Sequence, residues 1–481
     1  MSAPIQRLNA LTTTRFIAGL SVVFFHGGSG LYLLTLFPIN PLMRSGFPSV
    51  NYFFVLSGFV MALVYYRPGQ KFDFREYWTA RFSRVYPLYI FSFAVTCLYY
   101  LNILPRIDAD KVWANILLYQ AWFPQYATSF NVVSWSLSAE VFFYILFPFA
   151  AILAMRMPVK RLIGISLGFW AVSQLAHSVI ALWLGLGARY FLGYFPLFHL
   201  NSFVLGIAGG VWYVSEAPRR PHTSAVNLGW MFLSLAFVSL ALIAREYSLV
   251  PIRTFSLDVG LLSPFFLIFI LTLALDHTFV SKALSHPWLV LLGEASYATY
   301  MLHILIRWIM EKGMAALGNP LTYGQFFAFL YLPVVFAVSI LIFLFLERPA
   351  QNWLRHNMRK VPLMLLDLAL VAGSVWLSFF LLVGSADPLP RAQTYALRIG
   401  LGVFFLGLLA FRLYTGASWK ALIPAVASGA AVWVGFVYLA ARNGWIEVFP
   451  RSVLALAVAL IFAALSASRF ALRRLAPASF P

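Results

Sequence analysis

Long apolar stretches, separated by short polar loops, recur along almost the whole chain. Many of them reach the roughly 20 residues that an α-helix needs to cross a bilayer. The pattern predicts about fourteen membrane spans, at residues 12–34, 48–66, 85–104, 133–155, 160–184, 194–214, 226–245, 257–276, 294–316, 325–346, 363–384, 395–414, 420–441 and 452–471. An even number of spans would place both termini on the same side of the membrane.

The composition excludes a soluble globular class. Of the 481 residues, 62% are hydrophobic and 10% are charged, and the mean hydropathy is +0.84. We therefore expect an all-α fold, a polytopic bundle of transmembrane helices. Arg15 interrupts the first apolar stretch and no small-residue cleavage site follows, so this helix is expected to remain in the mature protein. Cys97 is the sole cysteine, which excludes an internal disulfide, a CxxC redox centre and a multi-cysteine metal site.

Basic residues collect in alternate loops of this pattern. With the N terminus in the cytoplasm, 21 of the 34 Lys and Arg residues fall in cytoplasmic loops, 10 in the opposite loops and three within spans. An excess of Lys and Arg is typical of cytoplasmic loops. The pattern therefore predicts cytoplasmic termini. Orientation and anionic lipid headgroups account for the net charge of +19 without a nucleic-acid partner.

Two ionisable residues share one face of the first predicted span. Eleven positions separate Arg15 from His26, which is about 20° past three helical turns and about 16 Å along the axis. Ionisable groups at membrane depth cost on the order of 2.5–3.5 kcal/mol each, so they usually face a protein interior or a wet cavity. The pair indicates a lined cavity. The alternative is an arginine that reaches the headgroups and a histidine that bonds a loop.

A second basic pair lies in TARFSRVYPLY, before the third span. Arg81 and Arg84 are three residues apart on what the sequence predicts to be a short helix, so their guanidinium groups could converge on one anion. An ordinary positive flank of a span would also contain them. Pro87 is expected in the first turn of the helix that follows.

Small and acidic residues occur inside two further spans. Ser57 and Gly58 permit close helix packing or the close approach of a long thin ligand. Glu140 lies in the apolar WSLSAEVFFY and needs a partner in the membrane. Pairing with His26 would fix the imidazole tautomer for general-base catalysis on a hydroxyl. Pairing with Arg15 would be structural, and the sequence alone does not choose.

A series of motifs resembles the acyltransferase-3 family of membrane O-acyltransferases and occurs in the family's order over about residues 1–350. The matching motifs are the Arg-x10-His of Arg15 and His26, FFVLSG at 53–58, RFSR at 81–84, WSLSAEVFFY at 135–144, FVLGIAGG at 203–210, GEASYATYMLHILI at 293–306, and Glu347 with Pro349.

The resemblance implies a ten-helix acyltransferase core at 1–350, followed here by a C-terminal transmembrane extension at 351–481. It implies transfer of an acyl group, usually acetyl, from cytoplasmic acyl-CoA to a hydroxyl of a carbohydrate or glycolipid. It also implies contact with membrane lipids and, in a bacterium, the inner membrane. A thioester donor such as acetyl-CoA needs no metal. The resemblance does not decide whether the protein forms a homo-oligomer. It also does not decide between direct transfer of the acyl group and transfer through an acylated residue of the protein.

The resemblance also assigns roles to individual residues. The catalytic set is His26 as general base, Glu140 as its orienter and Arg15 as a charge at the cavity, and the donor-binding set is Arg81, Arg84, Ser57 and Gly58. His303, in YMLHIL, matches a family position but is interpreted as structural.

The chain departs from the family pattern at two positions. Asn51 occupies a position that is usually acidic, and His199 one that is often basic. A rival interpretation is a transporter or flippase without covalent chemistry. The chain shows no internal repeat between its halves, which many transporters have.

Overall fold

The computed structural model describes residues 4–28, 46–101, 108–184, 189–219, 223–247, 257–318, 320–358 and 451–475, with a few single positions between the last two ranges. Every regular element in these ranges is helical. The chain divides into two compact units, Met1–Asn352 and Trp353–Pro481. The predicted spans at 363–384, 395–414 and 420–441 lie almost wholly outside the described residues.

Most helices belong to the first unit. They are α1 (Pro4–Gly27), α2 (Gly46–Tyr65), α3 (Phe74–Leu101), α4 (Ala109–Ile116), α5 (Trp135–Met155), α6 (Val159–Leu184), α7 (Arg189–Tyr194), α8 (Pro196–Ser215), α9 (Ser224–Glu246), α10 (Ser263–Ala274), α11 (Phe279–Leu284), α12 (Pro287–Glu294), α13 (Ser296–Ala316), α14 (Tyr323–Gln325) and α15 (Leu332–Ile342). Helix α16 (Arg348–Asn357) contains the boundary between the two units. The second unit contains α17 (Arg451–Leu475), in which Ala457, Ile461 and Leu465 form a buried face.

Within the described part of the chain, six continuous helical segments are long and apolar enough to cross a membrane: Gly46–Tyr65, Val132–Met155, Val159–Leu184, Phe191–Ser215, Ser224–Glu246 and Tyr323–Asn357. A seventh candidate is the α12–α13 pair, which bends by 61° between its two helices. Helices α1, with 24 residues, and α3, with 28, are about 36 and 42 Å long. This length is enough to cross a membrane, but neither helix is among the segments that are also apolar enough. The expected bundle of transmembrane helices is confirmed.

Helix α3 differs from its prediction. It runs without a break from Phe74 to Leu101 and contains Pro87 in its interior, not in a first turn. Arg81 and Arg84 therefore belong to the same helix as the third span. Proline removes the N–H that would bond the carbonyl of Ser83, and membrane helices tolerate this where neighbouring groups satisfy the freed backbone. Tertiary packing here outweighs the local signal for a helix start.

Glycines bring α2 and α8 into backbone contact. A Cβ atom on Gly58 would overlap the carbonyl oxygen of Phe203, and one on Gly206 would overlap that of Val55. Close backbone approach through small residues is the usual way that membrane helices pack tightly. This crossing fixes α2 against α8. Ser57, the neighbour of Gly58, lies on the side of α2 that faces away from α8.

The segment from Tyr323 to Asn357 contains two π-helical turns, at Phe326–Tyr331 and Phe343–Glu347. Apart from Phe326, its buried positions recur every four residues, at Phe327, Tyr331, Val335, Ser339, Phe343 and Glu347. The last of these is a fully buried carboxylate.

Candidate active site

A cavity of about 280 Å³ lies in the first unit among α1, α2, α3, α5 and the start of α13. Its lining includes Arg15, Ser57, Arg81, Arg84 and Glu140. Four separate helices supply these residues, so the fold brings together five of the seven that the sequence singled out. The remaining wall is largely aromatic and aliphatic, as in most small-molecule sites.

Arg15 lies near the middle of α1 and is half-buried. Among the described residues, no carboxylate lies within ion-pair distance of its guanidinium group. The neighbouring turn is held in place, because Thr14 and Tyr52 share a hydrogen bond and Thr13 donates to the carbonyl of Leu284 at 2.6 Å. Arg15 thus brings a cation with no ion-pair partner among the described residues to a fixed place in the cavity wall.

Arg81 is surrounded by aromatic rings. Its guanidinium carbon lies 5.6 Å from the ring centre of Tyr65 and 5.7 Å from that of Tyr144. The Nη2 atom is 3.5 Å from the Tyr65 hydroxyl, and the buried Nε atom has no hydrogen-bond partner among the described residues. Cation–π contacts hold the side chain without neutralising it, so Arg81 is a second cation available to an anion.

Arg84 differs from Arg81 because it already has a carboxylate partner. Its Nη1 atom lies 3.0 Å from Oε1 of Glu347, which also accepts from Gln351 at 2.9 Å. The ion pair joins α3 to the end of the second π-helical turn. Both arginines of the predicted pair therefore line one cavity, but the charge of Arg84 is paired with that of Glu347.

Glu140 pairs with neither of the partners expected from the sequence. Its Oε1 atom accepts hydrogen bonds from the Ser57 hydroxyl at 2.9 Å and the Tyr144 hydroxyl at 2.6 Å. The expected contact with His26 is wrong, as is the alternative ion pair with Arg15. Tertiary packing supplies two neutral donors instead, which satisfy one carboxylate oxygen inside the cavity.

Gly58 also lies away from the cavity. Its Cα faces the backbone of α8 and not the cavity that its neighbour Ser57 lines. The Ser-Gly pair therefore combines a polar wall residue with a helix-packing residue. The expected donor contact of Gly58 is not seen in this geometry.

His26 lies in the last turn of α1, outside the cavity lining. Its Nδ1 atom is 3.0 Å from the carbonyl oxygen of Val22 and 3.1 Å from Nε2 of His303. Arg307 donates a hydrogen bond from Nη1 to the backbone carbonyl of His26. Sequence reasoning missed both α13 residues as neighbours of His26, because His303 and Arg307 lie 277 and 281 positions further along the chain.

Tyr300 links the cavity to this histidine pair. It lines the cavity, and its hydroxyl forms a hydrogen bond of 2.8 Å with Ser136. His303 follows it one turn later on α13, with the two ring centres 6.3 Å apart. The proximity of Tyr300 and His303 could have been predicted from the sequence, since residues three apart share a helix face.

The acyltransferase-3 family model, an acyltransferase domain, matches residues 8–348. The chain belongs to the acyltransferase-3 family. The matched range contains every residue of the cavity and both histidines described above. The chain is therefore an integral membrane acyltransferase.

Two curated relatives share this similarity. Acyltransferase MdmB of Streptomyces mycarofaciens is 26% identical over 361 residues, which cover 68% of this chain and 84% of that protein. Peptidoglycan O-acetyltransferase OatA of Listeria monocytogenes is 24% identical over 332 residues, 64% of this chain and 52% of OatA. No solved structure gives a significant match to this acyltransferase.

Proposed function

We propose that this acyltransferase moves an acyl group, most simply acetyl, from cytoplasmic acyl-CoA to a hydroxyl of a carbohydrate-type acceptor, with His26 as general base. The acceptor would be an exopolysaccharide, a lipopolysaccharide or a glycolipid. The relative OatA is by name a peptidoglycan O-acetyltransferase, which supports an oxygen acceptor of this class.

The charge of the cavity carries this proposal. Three arginines and one glutamate line it, and Arg15 and Arg81 have no carboxylate partner among the described residues. A cation that is buried without a counter-ion is costly unless a ligand neutralises it. Coenzyme A carries several phosphate charges, and guanidinium groups bind phosphate through paired charge-assisted hydrogen bonds.

The distribution of basic loops supports delivery of the donor from the cytoplasm. The Arg67–Arg84 stretch, which includes the start of α3, is among the segments that the positive-inside pattern assigns to that side. In this orientation both termini are cytoplasmic and the protein lies in a bacterial inner membrane. His26 follows Arg15 by eleven residues along α1, toward the outer side, where the acceptor would arrive.

The chemistry requires no group beyond those of the chain and the two substrates. The acceptor hydroxyl gives its proton to Nε2 of His26 while its oxygen attacks the thioester carbonyl carbon. The carbon–sulfur bond then breaks, the acyl group stays on the acceptor oxygen, and the CoA thiolate recovers the proton. The arginines of the cavity would hold the CoA end of the donor and so position its thioester, which makes this attack intramolecular in effect.

The test measures acetyl-CoA binding and CoA release in proteoliposomes supplied with lipopolysaccharide, exopolysaccharide or peptidoglycan. Arg81→Ala should weaken acetyl-CoA binding about 10- to 100-fold, the loss expected for a charge-assisted contact. Lys160→Ala is the matched control, because Lys160 is an exposed basic residue near the end of a span and outside the cavity.

His26→Ala should bind acetyl-CoA normally and release no CoA in response to an acceptor. If Arg81→Ala and Lys160→Ala lose donor binding equally, Arg81 is an ordinary basic residue at the end of a span and not a specific contact of the donor. Wild-type transfer by His26→Ala would show that His26 is not the base.

A further inference from the structure

We propose that His303 is the positioning residue of His26: it accepts the Nδ1 proton of His26 and thereby leaves Nε2 unprotonated and free to act as the base. The proposal rests on the proposed function for the role of that base. It gives His303 the role of orienting His26, which the sequence analysis assigned to Glu140.

The proton on His303 can be located from its neighbours. Its Nδ1 atom lies 2.8 Å from the carbonyl oxygen of Tyr300 and 3.2 Å from that of Thr299. Carbonyl oxygens only accept, so Nδ1 carries the proton. In the neutral ring, Nε2 then presents a lone pair. This ring is fully buried, and the Tyr331 hydroxyl donates to the backbone carbonyl of His303 at 2.9 Å.

The proton on His26 follows from this arrangement. Its Nδ1 atom has two neighbours, the lone pair of His303 Nε2 at 3.1 Å and the carbonyl oxygen of Val22 at 3.0 Å. Both are acceptors, so Nδ1 of His26 is the donor and Nε2 carries the lone pair. No described residue bonds Nε2. The resulting tautomer is the one that general-base catalysis through Nε2 requires.

Val22 alone would hold this proton poorly. Its carbonyl already serves the helical bond from the backbone N–H four residues later, which belongs to His26 itself. His303 supplies an acceptor for which no other described residue provides a donor. It also restrains the plane of the His26 ring, whose centre is 5.1 Å from its own.

Helix α13 holds the end of α1 at two points. His303 contacts the imidazole of His26, and Arg307, one turn later, donates to the backbone carbonyl of the same residue. The latter contact satisfies a carbonyl that the helix end leaves without an intrahelical partner. Backbone and ring of His26 are thus fixed from one neighbouring helix. Glu140 takes no part, because its bonded oxygen is engaged by Ser57 and Tyr144.

The first test reads the tautomer directly. The full chain is labelled with ¹⁵N-histidine and reconstituted in bilayers, and the His26 signals are assigned by difference from His26→Ala. Solid-state NMR should show a protonated Nδ1 and an unprotonated Nε2. His303→Leu should give a mixture of tautomers, whereas His303→Gln, which can place an amide oxygen near the position of Nε2, should keep the wild-type form.

The second test measures steady-state transfer from acetyl-CoA. His303→Leu should lower kcat by about 100-fold, the lower end of the contribution of a general base, while the KM for acetyl-CoA stays within about twofold of wild type. His303→Gln should recover most of kcat. His177→Leu is the matched control, since His177 is a buried histidine of α6 that contacts Phe198 and lies outside the site.

The outcomes separate the two proposals. A proton on Nε2 of His26 in the wild-type protein, or unchanged kcat in His303→Leu, would overturn the role of His303. Equal losses in His303→Leu, His303→Gln and His177→Leu would also overturn it, because they would reflect folding alone. The expected tautomers without any acetyl-CoA-dependent transfer would uphold the His303–His26 contact and overturn the proposed function.

Discussion

Asn51 and His199 lie 3.0 Å apart, Oδ1 to Nδ1, and both side chains are buried. They are the two positions at which the sequence resemblance led us to expect an acidic and a basic residue. The structure thus places a neutral amide–imidazole contact where an acid and a base would form an ion pair. Asn51 also donates to the carbonyl of Asp258 at 2.7 Å, and Nε2 of His199 faces the carbonyl of Gly193 at 3.0 Å.

Both ring nitrogens of His199 face oxygen acceptors, although a neutral imidazole has only one N–H. Asn51→Asp would supply the charge that a doubly protonated ring needs, but it would also replace the amide donor to the Asp258 carbonyl with an acceptor, so this variant should unfold below the wild-type temperature and above that of Asn51→Leu. Asn51→Leu removes two partners and should cost about 1–3 kcal/mol. Thermal unfolding of the detergent-solubilised protein measures both. An Asn51→Asp protein less stable than Asn51→Leu would show that the site tolerates no charge.

The ion pair of Arg84 and Glu347 leads to a second prediction. The Glu347 side chain is fully buried and the Arg84 side chain is 27% exposed. Removing one partner of a buried pair typically costs about 3–5 kcal/mol, because the other charge is left uncompensated. Arg84→Met should therefore lower the unfolding temperature more than Arg81→Met, since Arg81 has no carboxylate partner in the described part of the chain.

The double variant Arg84→Met/Glu347→Leu provides the control. It removes both charges and should recover much of the stability lost in Arg84→Met. If both single arginine variants unfold at the same temperature, the ion pair contributes no more than an ordinary surface contact.

The crossing of α2 and α8 gives a third prediction. Gly58→Ala places a methyl group against the Phe203 carbonyl, and overpacking of this kind typically costs about 1–3 kcal/mol. The loss should appear in the unfolding temperature, while the KM for acetyl-CoA of the folded fraction stays unchanged. Gly164→Ala is the control, because open space surrounds that position. A raised KM with normal stability would restore a donor-binding role to Gly58.

The sequence allowed the class of fold and much of the cavity to be predicted. Arg15, Arg81 and Glu140 are polar residues in apolar helices, and the cost of exposing them to lipid requires that they face an interior. That constraint is independent of which helices are neighbours. The inward orientation of these residues can therefore be predicted from one sequence alone. The structure brings all three to one cavity.

The partners of these residues could not be predicted in the same way. Glu140 bonds Ser57 from another helix and Tyr144 from its own, while His26 meets a histidine on a helix distant in sequence. Charge complementarity favoured a pairing of His26 with Glu140. The crossing of α2 and α8 and the approach of α13 to α1 decide the contacts instead, and no local pattern in the sequence specifies them.

The two π-helical turns between Tyr323 and Asn357 keep one side of a long helix facing inward. Buried positions recur every four residues from Phe327 to Glu347. In a regular α-helix the last of these would be rotated by about 200° from the first, onto the opposite side. Each wider turn takes up part of this rotation. One face of this helix therefore stays buried from Tyr331, which donates to the His303 carbonyl, to Glu347, which pairs with Arg84, so that a single helix contacts both the histidine pair and the cavity.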